Sequence, residues 1–307
     1  MLANPLALPY LVAPCSPVAD TPARRSRFQA SLRRLERRGV VPFVDDSVWA
    51  KDTYLAGDDK SRASALIRAL TSSAPLIWAA RGGYGAMRIL PELEQGLPEA
   101  NGSQAFLGFS DVTALFPLLN RKGYRCLHGP VVSQVGSLVE GGDAGFEALR
   151  RTLISGEGAQ RIRFRGRVPE NEGVIEGRLV GGNLCLCAAL AGTEYGPDYE
   201  SAILFIEDVG EPAYRLDRYL SQLELAGAFK GLRGVVVGDL GARGEEAKRA
   251  VARVSEICSK WLVPMITGLP IGHGNRNACL EYGAQVALRH GAPDESGRGA
   301  CVLTRIP

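Results

Sequence analysis

A serine at the centre of the chain follows a short apolar run and is a candidate nucleophile. Residues 104–108 have the composition of a buried strand, the chain turns at Ser110, and leucines then recur at helical spacing. A sharp turn between strand and helix can lift a serine hydroxyl above the carboxyl edge of a parallel sheet, beside helix N–H groups. The alternative is a simple helix cap, because serine is a favoured N-cap and the full G-x-S-x-G elbow needs a glycine where Val112 stands.

A glycine-rich turn, Arg81-Gly-Gly-Tyr-Gly85, is the second candidate and follows the apolar run 74–80. Glycine permits positive φ and close approach of backbone N–H groups to a ligand. The turn could form an anion nest, half of an oxyanion hole, or only a tight turn. Its spacing is not that of the G-x-G-x-x-G dinucleotide motif.

The third set of candidates is one acid and three histidines. Glu207 ends an apolar strand, where a carboxylate needs a hydrogen-bonding partner such as an imidazole. His273 lies between glycines in a predicted loop, which suits a general base, whereas His290 is expected to be solvated. His128 ends an apolar run on the same predicted sheet edge as the serine. Spacing alone does not choose between His128 and His273 as the base of a Ser-His-acid triad.

Strands alternate with helices through the first half of the chain, which predicts a parallel sheet with helices on both faces. In such a sheet, ligands bind beyond the carboxyl ends of the strands. The predicted strands are 6–13, 40–44, 74–80, 104–108 and 126–132, and the predicted helices include 24–38 and 61–70.

The second half begins after a composition shift at 155–158, where we place a domain boundary. Residues 161–168 alternate arginine with apolar residues, which predicts a strand with one charged face. A strand over 173–180 is expected to end in Gly181-Gly182-Asn183, before a helix rich in Leu, Ala and Cys. Further predicted strands are 202–207, 234–239 and 264–267, and further predicted helices are 214–225 and 245–261.

Composition limits the classes of function. Lys and Arg together exceed Asp and Glu by only three (36 against 33), which predicts no nucleic-acid or membrane partner. Seven arginines within 24–38 are interpreted as a solvated helix face. Seven scattered cysteines fit a reducing cytoplasm, and no run reaches the roughly 18 apolar residues of a membrane span. No H-E-x-x-H motif or Asp/His cluster occurs, so no metal is predicted.

Seven short motifs occur in order along nearly the whole chain, and together they closely resemble the LD-carboxypeptidase family. They are Tyr54-Leu-Ala-Gly57, Arg81-Gly-Gly-Tyr-Gly85, Gly108-Phe-Ser110-Asp111, His128-Gly-Pro130, Gly181-Gly-Asn183, Phe205-Ile-Glu207-Asp208 and Gly272-His273-Gly274. Members of this family are the murein tetrapeptide carboxypeptidases and the related microcin C self-immunity peptidases.

The resemblance implies a serine peptidase with Ser110 as nucleophile, His273 as general base and Glu207 as the orienting acid, and leaves His128 a structural role. It also implies an oxyanion hole of backbone N–H groups. These belong to Asp111 and to the Arg81-Gly82-Gly83 turn. No cofactor is expected.

The implied fold is α/β, with an N-terminal flavodoxin- or Rossmann-like parallel-sheet domain and a smaller β-rich C-terminal domain, and with the active site between the two. We therefore predict an α/β domain over 1–155 that carries the serine, a linker over 156–170, and a β-rich domain over 171–307 that carries the acid and the histidine.

The implied reaction removes the terminal D-alanine of a murein tetrapeptide in cytoplasmic cell-wall recycling, by a homodimer. Arg81 and Arg276 are candidates for holding the substrate carboxylate, and Asn183 for binding its backbone or capping a helix. Two alternatives remain open: an immunity peptidase of the microcin C type that cleaves a nucleotidyl peptide, and a non-catalytic protein that binds a small anion.

Overall fold

The computed structural model describes residues 8–100, 104–138, 149–150 and 161–306. The chain forms two compact units, the first comprising Met1–Ile154 with Cys279–Glu281 and the second Ser155–Ala278 with Tyr282–Pro307. The boundary predicted at 155–158 lies outside the described residues, as do residues 6–7 of the first predicted strand and 156–160 of the predicted linker. The domain limits therefore stay a prediction.

A six-stranded sheet forms the centre of the first unit. Its strands are β1 (Tyr10–Val12), β2 (Phe43–Val44), β3 (Leu76–Ala79), β4 (Ala105–Gly108), β5 (Arg125–His128) and β11 (Leu280–Tyr282), in the spatial order β11-β5-β4-β3-β1-β2. Strands β1 to β5 pair in parallel, which confirms the predicted parallel sheet. Among the described residues of this unit, the helices with defined bounds are α1 (Pro22–Glu36), α2 (Asp59–Leu70), α3 (Leu90–Gly96), α4 (Phe116–Arg121) and α5 (Val135–Leu138).

Helix α1 shows how local sequence positions an element on this sheet. Thr21 caps it by accepting a hydrogen bond from the backbone N–H of Arg24 (3.2 Å), and Pro22 occupies the first turn, where its missing N–H costs nothing. The helix thus begins two residues earlier than predicted. Phe28 and Leu35 are fully buried in the same apolar cluster as Trp78 of β3, so the apolar stripe of the helix covers the sheet.

The second unit contains a seven-stranded mixed sheet. Its strands are β6 (Arg161–Arg167), β7 (Gly173–Asn183), β8 (Ala202–Glu207), β9 (Gly234–Val237), β10 (Met265–Thr267), β12 (Gln285–His290) and β13 (Arg298–Arg305), in the order β10-β9-β8-β7-β12-β13-β6. Strands β7 to β10 are parallel and the remaining pairs antiparallel. Strand β6 lies inside the range predicted as a linker and pairs along its length with β13. The helices are α6 (Leu184–Leu190), α7 (Ala213–Leu225) and α8 (Gly244–Lys260).

One strand of this unit is longer than predicted, and one expectation for a side chain is wrong. Strand β7 extends beyond the predicted 173–180 through Gly181 and Gly182 to Asn183, in register with β8. A Cβ atom added at Gly181 would lie 2.0 Å from the carbonyl oxygen of Phe205, so glycine here permits close approach between strands. His290 is buried at the end of β12, with an exposed fraction of 7%, because glycine stands opposite it at position 173.

Candidate active site

Ser110 lies in a sharp turn directly after β4. Its φ is +62°, in the left-handed region that costs a non-glycine residue about 1–2 kcal/mol. A 3-10 helix over Ser110–Leu115 follows, and α-helical geometry begins only at Phe116. The predicted helix is therefore divided, since Pro117 has no N–H to donate to the carbonyl four residues earlier. This geometry is typical of a nucleophile turn between strand and helix.

Gly108 makes the sharp turn possible. A Cβ atom added there would lie 2.7 Å from Val112 Cγ1 and 3.1 Å from Ala79 Cβ. The fully buried Val112, at the position of the second glycine in the G-x-S-x-G motif, thus packs directly against Gly108. The G-x-S-x-G motif requires close packing between strand and helix. In this protein that packing depends on Gly108, two residues before the serine.

The glycine-rich turn packs against Ser110 within the first unit. A Cβ atom added at Gly82 would lie 2.9 Å from Ser110 Cβ and 3.2 Å from Ser110 Oγ. Gly83 has a φ of +111° and faces Ser16, whose hydroxyl accepts a hydrogen bond from the backbone N–H of Tyr84 (3.1 Å). The structure therefore places Gly82 beside the serine hydroxyl.

Two buried charged side chains hold this turn in place. Asp111 Oδ2 accepts a hydrogen bond from the backbone N–H of Ala86 (2.8 Å), and burial raises the pKa of this carboxyl group. The fully buried Arg62 donates to the carbonyl oxygen of Gly85 (2.9 Å) and forms an ion pair with Asp59. Sequence reasoning missed Arg62. Its signal is an arginine on the apolar stripe of α2, at spacings of three, four and seven from buried residues.

His128 lies in the core beneath the serine turn. It is fully buried, and its ring lies 5.8 Å from that of Phe109 at an interplanar angle of 83° and 6.4 Å from that of Phe116 at 63°. Aromatic rings thus pack edge-on against the imidazole. This environment agrees with the structural role that the family resemblance implies for His128.

In the second unit, Glu207 and His273 form a hydrogen-bonded pair. Glu207 is fully buried as the last residue of β8, and its Oε2 lies 2.8 Å from His273 Nδ1. The His273 side chain is about one-fifth exposed. A carboxylate on Nδ1 fixes the orientation of the ring and stabilises the imidazolium that forms when Nε2 accepts a proton.

Asp239 fills the space on both sides of His273 and explains its flanking glycines. A Cβ atom added at Gly272 would lie 3.1 Å from Asp239 Cβ, and one added at Gly274 would lie 2.7 Å from Asp239 Oδ2. The Asp239 backbone accepts a hydrogen bond from the N–H of Asp208 and donates one to Ile271, both at 3.0 Å. Sequence reasoning missed Asp239. The signal is an acid at the end of a predicted apolar strand, 234–239, as at Glu207.

Asn183 and Asp208 together cap the N-terminus of α6. Asn183 Oδ1 accepts from the backbone N–H of Leu186 (3.3 Å), which is the capping alternative considered for this residue. Asp208 accepts from Asn183 Nδ2 (3.2 Å) and from the backbone N–H groups of Cys185 (3.0 Å) and Val209 (2.8 Å). Burial, with the neighbouring Glu207 charge, raises the pKa of Asp208 to about 6.

The two arginines proposed for substrate binding lie in different units. Arg81 donates to the carbonyl oxygen of Pro17 (2.7 Å) and lies 3.7 Å from Asp20, and burial lowers its pKa. Arg276 is exposed and lines a cavity of about 460 Å³ together with Asp239 and Arg243. Binding of substrate by either arginine stays a prediction.

Within the described ranges, no group of three or more His, Cys, Asp or Glu side chains is arranged to hold a metal ion. None of the helices in the same ranges combines the length and the apolar character that a membrane crossing requires.

Comparisons with known proteins match both the first and the second half of the chain to LD-carboxypeptidases. The profile of the LD-carboxypeptidase N-terminal domain matches residues 10–129, and that of the LD-carboxypeptidase C-terminal domain matches residues 176–288. The murein tetrapeptide carboxypeptidase of Pseudomonas aeruginosa is 32% identical over 289 residues, which cover 91% of this chain and 92% of the relative.

Two further relatives share the fold and most of the length. The crystal structure of muramoyltetrapeptide carboxypeptidase from Oxalobacter formigenes is 26% identical with a TM-score of 0.77, and the match covers 98% of this chain and 99% of that one. The microcin C7 self-immunity protein MccF of Escherichia coli is 23% identical over 320 residues, covering 94% of this chain and 93% of MccF. The chain therefore belongs to the LD-carboxypeptidase family.

Proposed function

We propose that this protein is a serine-type LD-carboxypeptidase that removes the terminal D-alanine from murein tetrapeptides in cell-wall recycling. The hydrogen bond between the fully buried Glu207 and His273 carries the proposal, because it is the acid and base pair that a serine nucleophile requires. The left-handed turn at Ser110 supports it. The substrate is proposed from the name of the Pseudomonas aeruginosa relative.

In the proposed mechanism, Ser110 Oγ attacks the carbonyl carbon of the peptide bond before D-alanine while His273 accepts its proton. Glu207 stabilises the resulting imidazolium. Backbone N–H groups of Asp111 and of the Gly82-Gly83 turn stabilise the oxyanion. The C–N bond then breaks, His273 protonates the departing amine, and water hydrolyses the acyl-enzyme, which regenerates the free serine.

The proposal also covers the residues that would bind the substrate, the cellular location and the oligomeric state. Arg81 or Arg276 would hold the terminal carboxylate through a guanidinium fork, and Asn183 would contact the substrate backbone in addition to capping α6. A cytoplasmic location is supported by the seven cysteines, all of which are free thiols. A homodimer is proposed from the family resemblance alone. No cofactor takes part.

A second candidate function is favoured by one pair of aromatic side chains. Tyr84 of the glycine-rich turn and Tyr54 are both more than half exposed, with ring centroids 5.6 Å apart. Exposed aromatic rings can stack on a nucleobase, with a contribution of about 1–3 kcal/mol per base. An immunity peptidase of the MccF type, acting on a nucleotidyl peptide, would use such a surface.

The test is incubation with murein peptides of three, four and five residues and, separately, with a nucleotidyl peptide, followed by mass spectrometry. We expect loss of one alanine from the tetrapeptide. In the Ser110→Ala variant, turnover should fall by about four to six orders of magnitude with folding intact. Ser61→Ala, which removes an exposed hydroxyl in the same unit, is the matched control.

Each outcome separates the candidates. Cleavage of the nucleotidyl peptide alone would favour the second function. Activity of the Ser110→Ala variant within tenfold of wild type would exclude the serine mechanism. No product from either substrate, with no labelling of Ser110 by a fluorophosphonate, would leave the alternative of a non-catalytic anion-binding protein.

A further inference from the structure

An arginine-lined cavity lies in the first unit, beside helix α1. Its volume is about 590 Å³, within the range of roughly 300–1,000 Å³ typical of small-molecule sites. Four of the described residues that line it are arginines, and no described lining residue is acidic. The polar lining residues are Arg24, Arg27, Arg34, Arg81, Ser133 and Gln134. We call this cavity the arginine pocket.

Three separate segments of the chain converge on the arginine pocket. Arg24, Arg27 and Arg34 have spacings of three and seven, which place them on one face of α1. Arg81 comes from the turn after β3, and Ser133 from the stretch after β5. The seven arginines of 24–38, interpreted from sequence as one solvated face, are thus not equivalent.

Two of the guanidinium groups are anchored by backbone carbonyl oxygens. Arg34 donates to the carbonyl oxygen of Gly136, and Arg81 donates to that of Pro17 at 2.7 Å. Each of these bonds uses one of the five N–H donors of a guanidinium and fixes the group at the wall of the pocket. Because these side chains are already ordered, less conformational entropy is lost when a ligand binds.

The pocket is rich in positive charge. Asp20 forms an ion pair with Arg24 and lies 3.7 Å from Arg81 Nη1, so among the residues that the structure describes one carboxylate faces both of these arginines. The charges of Arg24 and Arg27 act together with burial to lower the pKa of Arg81. The positive charges of guanidinium groups that line one pocket repel one another, and a bound anion would relieve that repulsion.

We propose that the arginine pocket binds a small molecule that carries two or more negative charges on phosphate or carboxylate groups. Arginine forks bind both groups through paired N–H donors, and the volume suits a compact polyanion. Ser110, Gly82 and Gly83 do not line the pocket, but the pocket shares Arg81 with the residues proposed to hold the substrate carboxylate, and Arg81 directly precedes the Gly82 that packs against the serine. Binding here does not depend on the proposed peptidase function.

The test is calorimetric titration of the full-length protein at constant ionic strength, with pyrophosphate as the phosphate probe and citrate as the carboxylate probe. Arg27→Gln removes one charge from the pocket. Arg33→Gln is the matched control, since it removes an exposed charge from the same helix outside the pocket. We expect saturable binding that Arg27→Gln weakens by about tenfold or more and Arg33→Gln by less than about twofold.

Binding of only one probe would identify the ligand chemistry and support the proposal. Failure of both probes to saturate would overturn it, as would equal weakening in the two variants, which would indicate diffuse attraction to the arginine-rich helix. Arg24→Gln provides a second pocket variant if Arg27→Gln does not fold. Titration of the inactive Ser110→Ala variant should give wild-type affinity, which separates this result from any failure of the peptidase proposal.

Discussion

The carboxylate of Glu207 is fully buried at the end of an apolar strand, and burial of a charge is costly without a hydrogen-bonded partner. His273 provides that partner at 2.8 Å. Its imidazole ring is fixed by this contact and by the glycines on either side, which leave room for Asp239. The chemistry proposed for the site thus depends on the buried carboxylate of Glu207 and on the loop that holds His273 within hydrogen-bond distance of it.

A conservative change of this acid tests the pair. In Glu207→Gln the shape is kept, but the negative charge that would stabilise the imidazolium is lost. We expect kcat on the murein tetrapeptide to fall by about three to four orders of magnitude, with KM little changed. Glu176→Gln, on an exposed position of β7, is the control and should retain wild-type kcat. A loss of less than tenfold in Glu207→Gln would contradict the assigned role.

The contact between Gly82 and Ser110 gives a second prediction. In Gly82→Ala the added methyl group would lie 2.9 Å from Ser110 Cβ and 3.2 Å from Oγ, so the serine must shift. Small displacements of a nucleophile are costly, and we expect kcat to fall by about a hundredfold. Gly291→Ala, whose added Cβ has no heavy atom nearer than 3.9 Å, should leave kcat unchanged. Equal kcat values in the two variants would count against a role for this turn.

The sequence was sufficient to name Ser110, Glu207 and the histidines as candidates, because few side chains can serve as nucleophile, base or orienting acid. The choice between His128 and His273 was not readable without the family resemblance. His128 is excluded from solvent by Phe109 and Phe116, and its burial depends on packing between the serine turn and β5. Sequence spacing carries no information about such contacts.

At the scale of elements, the periodic patterns predicted the type of most helices and strands, with ends shifted by a few residues. The helix predicted over 61–70 is α2, which begins at Asp59, and the arginine-alternating strand is β6. Strand β7 is three residues longer than the predicted 173–180, because its glycine pair stays in register with β8. Glycine occurs both at turns and where strands approach closely, and only the neighbouring strand β8 distinguishes the two.

The cap of helix α6 gives a prediction about pH. The pKa of Asp208 is raised from 3.8 to about 6, so the folded protein holds this proton at pH values where the unfolded chain has lost it. Rising pH therefore lowers the contribution of Asp208 to stability between about pH 4 and 6. Two pKa units correspond to about 3 kcal/mol.

The measurement is urea unfolding of wild type and Asp208→Asn at several pH values between 4 and 7. We expect the free energy of unfolding of wild type to fall relative to that of the variant as the pH rises, by up to about 3 kcal/mol. Asp46→Asn, which removes an exposed carboxylate, is the control variant. A difference between wild type and Asp208→Asn that is constant across this range would show that Asp208 does not titrate there.

At the scale of the whole molecule, the chain does not complete its first unit before it builds the second. Residues Cys279–Glu281 belong to the first unit, where β11 forms the edge of the sheet beside β5. A strand of three residues is too short to show a period, so no local pattern predicted it. Ser110 lies in the first of these units, and Glu207 and His273 lie in the second.

The ion pair between Arg125 of β5 and Glu281 of β11 should stabilise the folded protein. Arg125 Nε and Nη2 donate to Glu281 Oε2 at 3.0 and 2.9 Å, and the Glu281 side chain is only 10% exposed. Glu281→Gln removes the charge from this largely buried pair. We expect the free energy of unfolding to fall by about 1–3 kcal/mol, measured by urea unfolding with tryptophan fluorescence. Glu295→Gln, an exposed change in the same part of the chain, should leave it within about 0.5 kcal/mol. An unchanged unfolding midpoint for Glu281→Gln would mean that β11 is held by its backbone pairing and apolar contacts rather than by this ion pair.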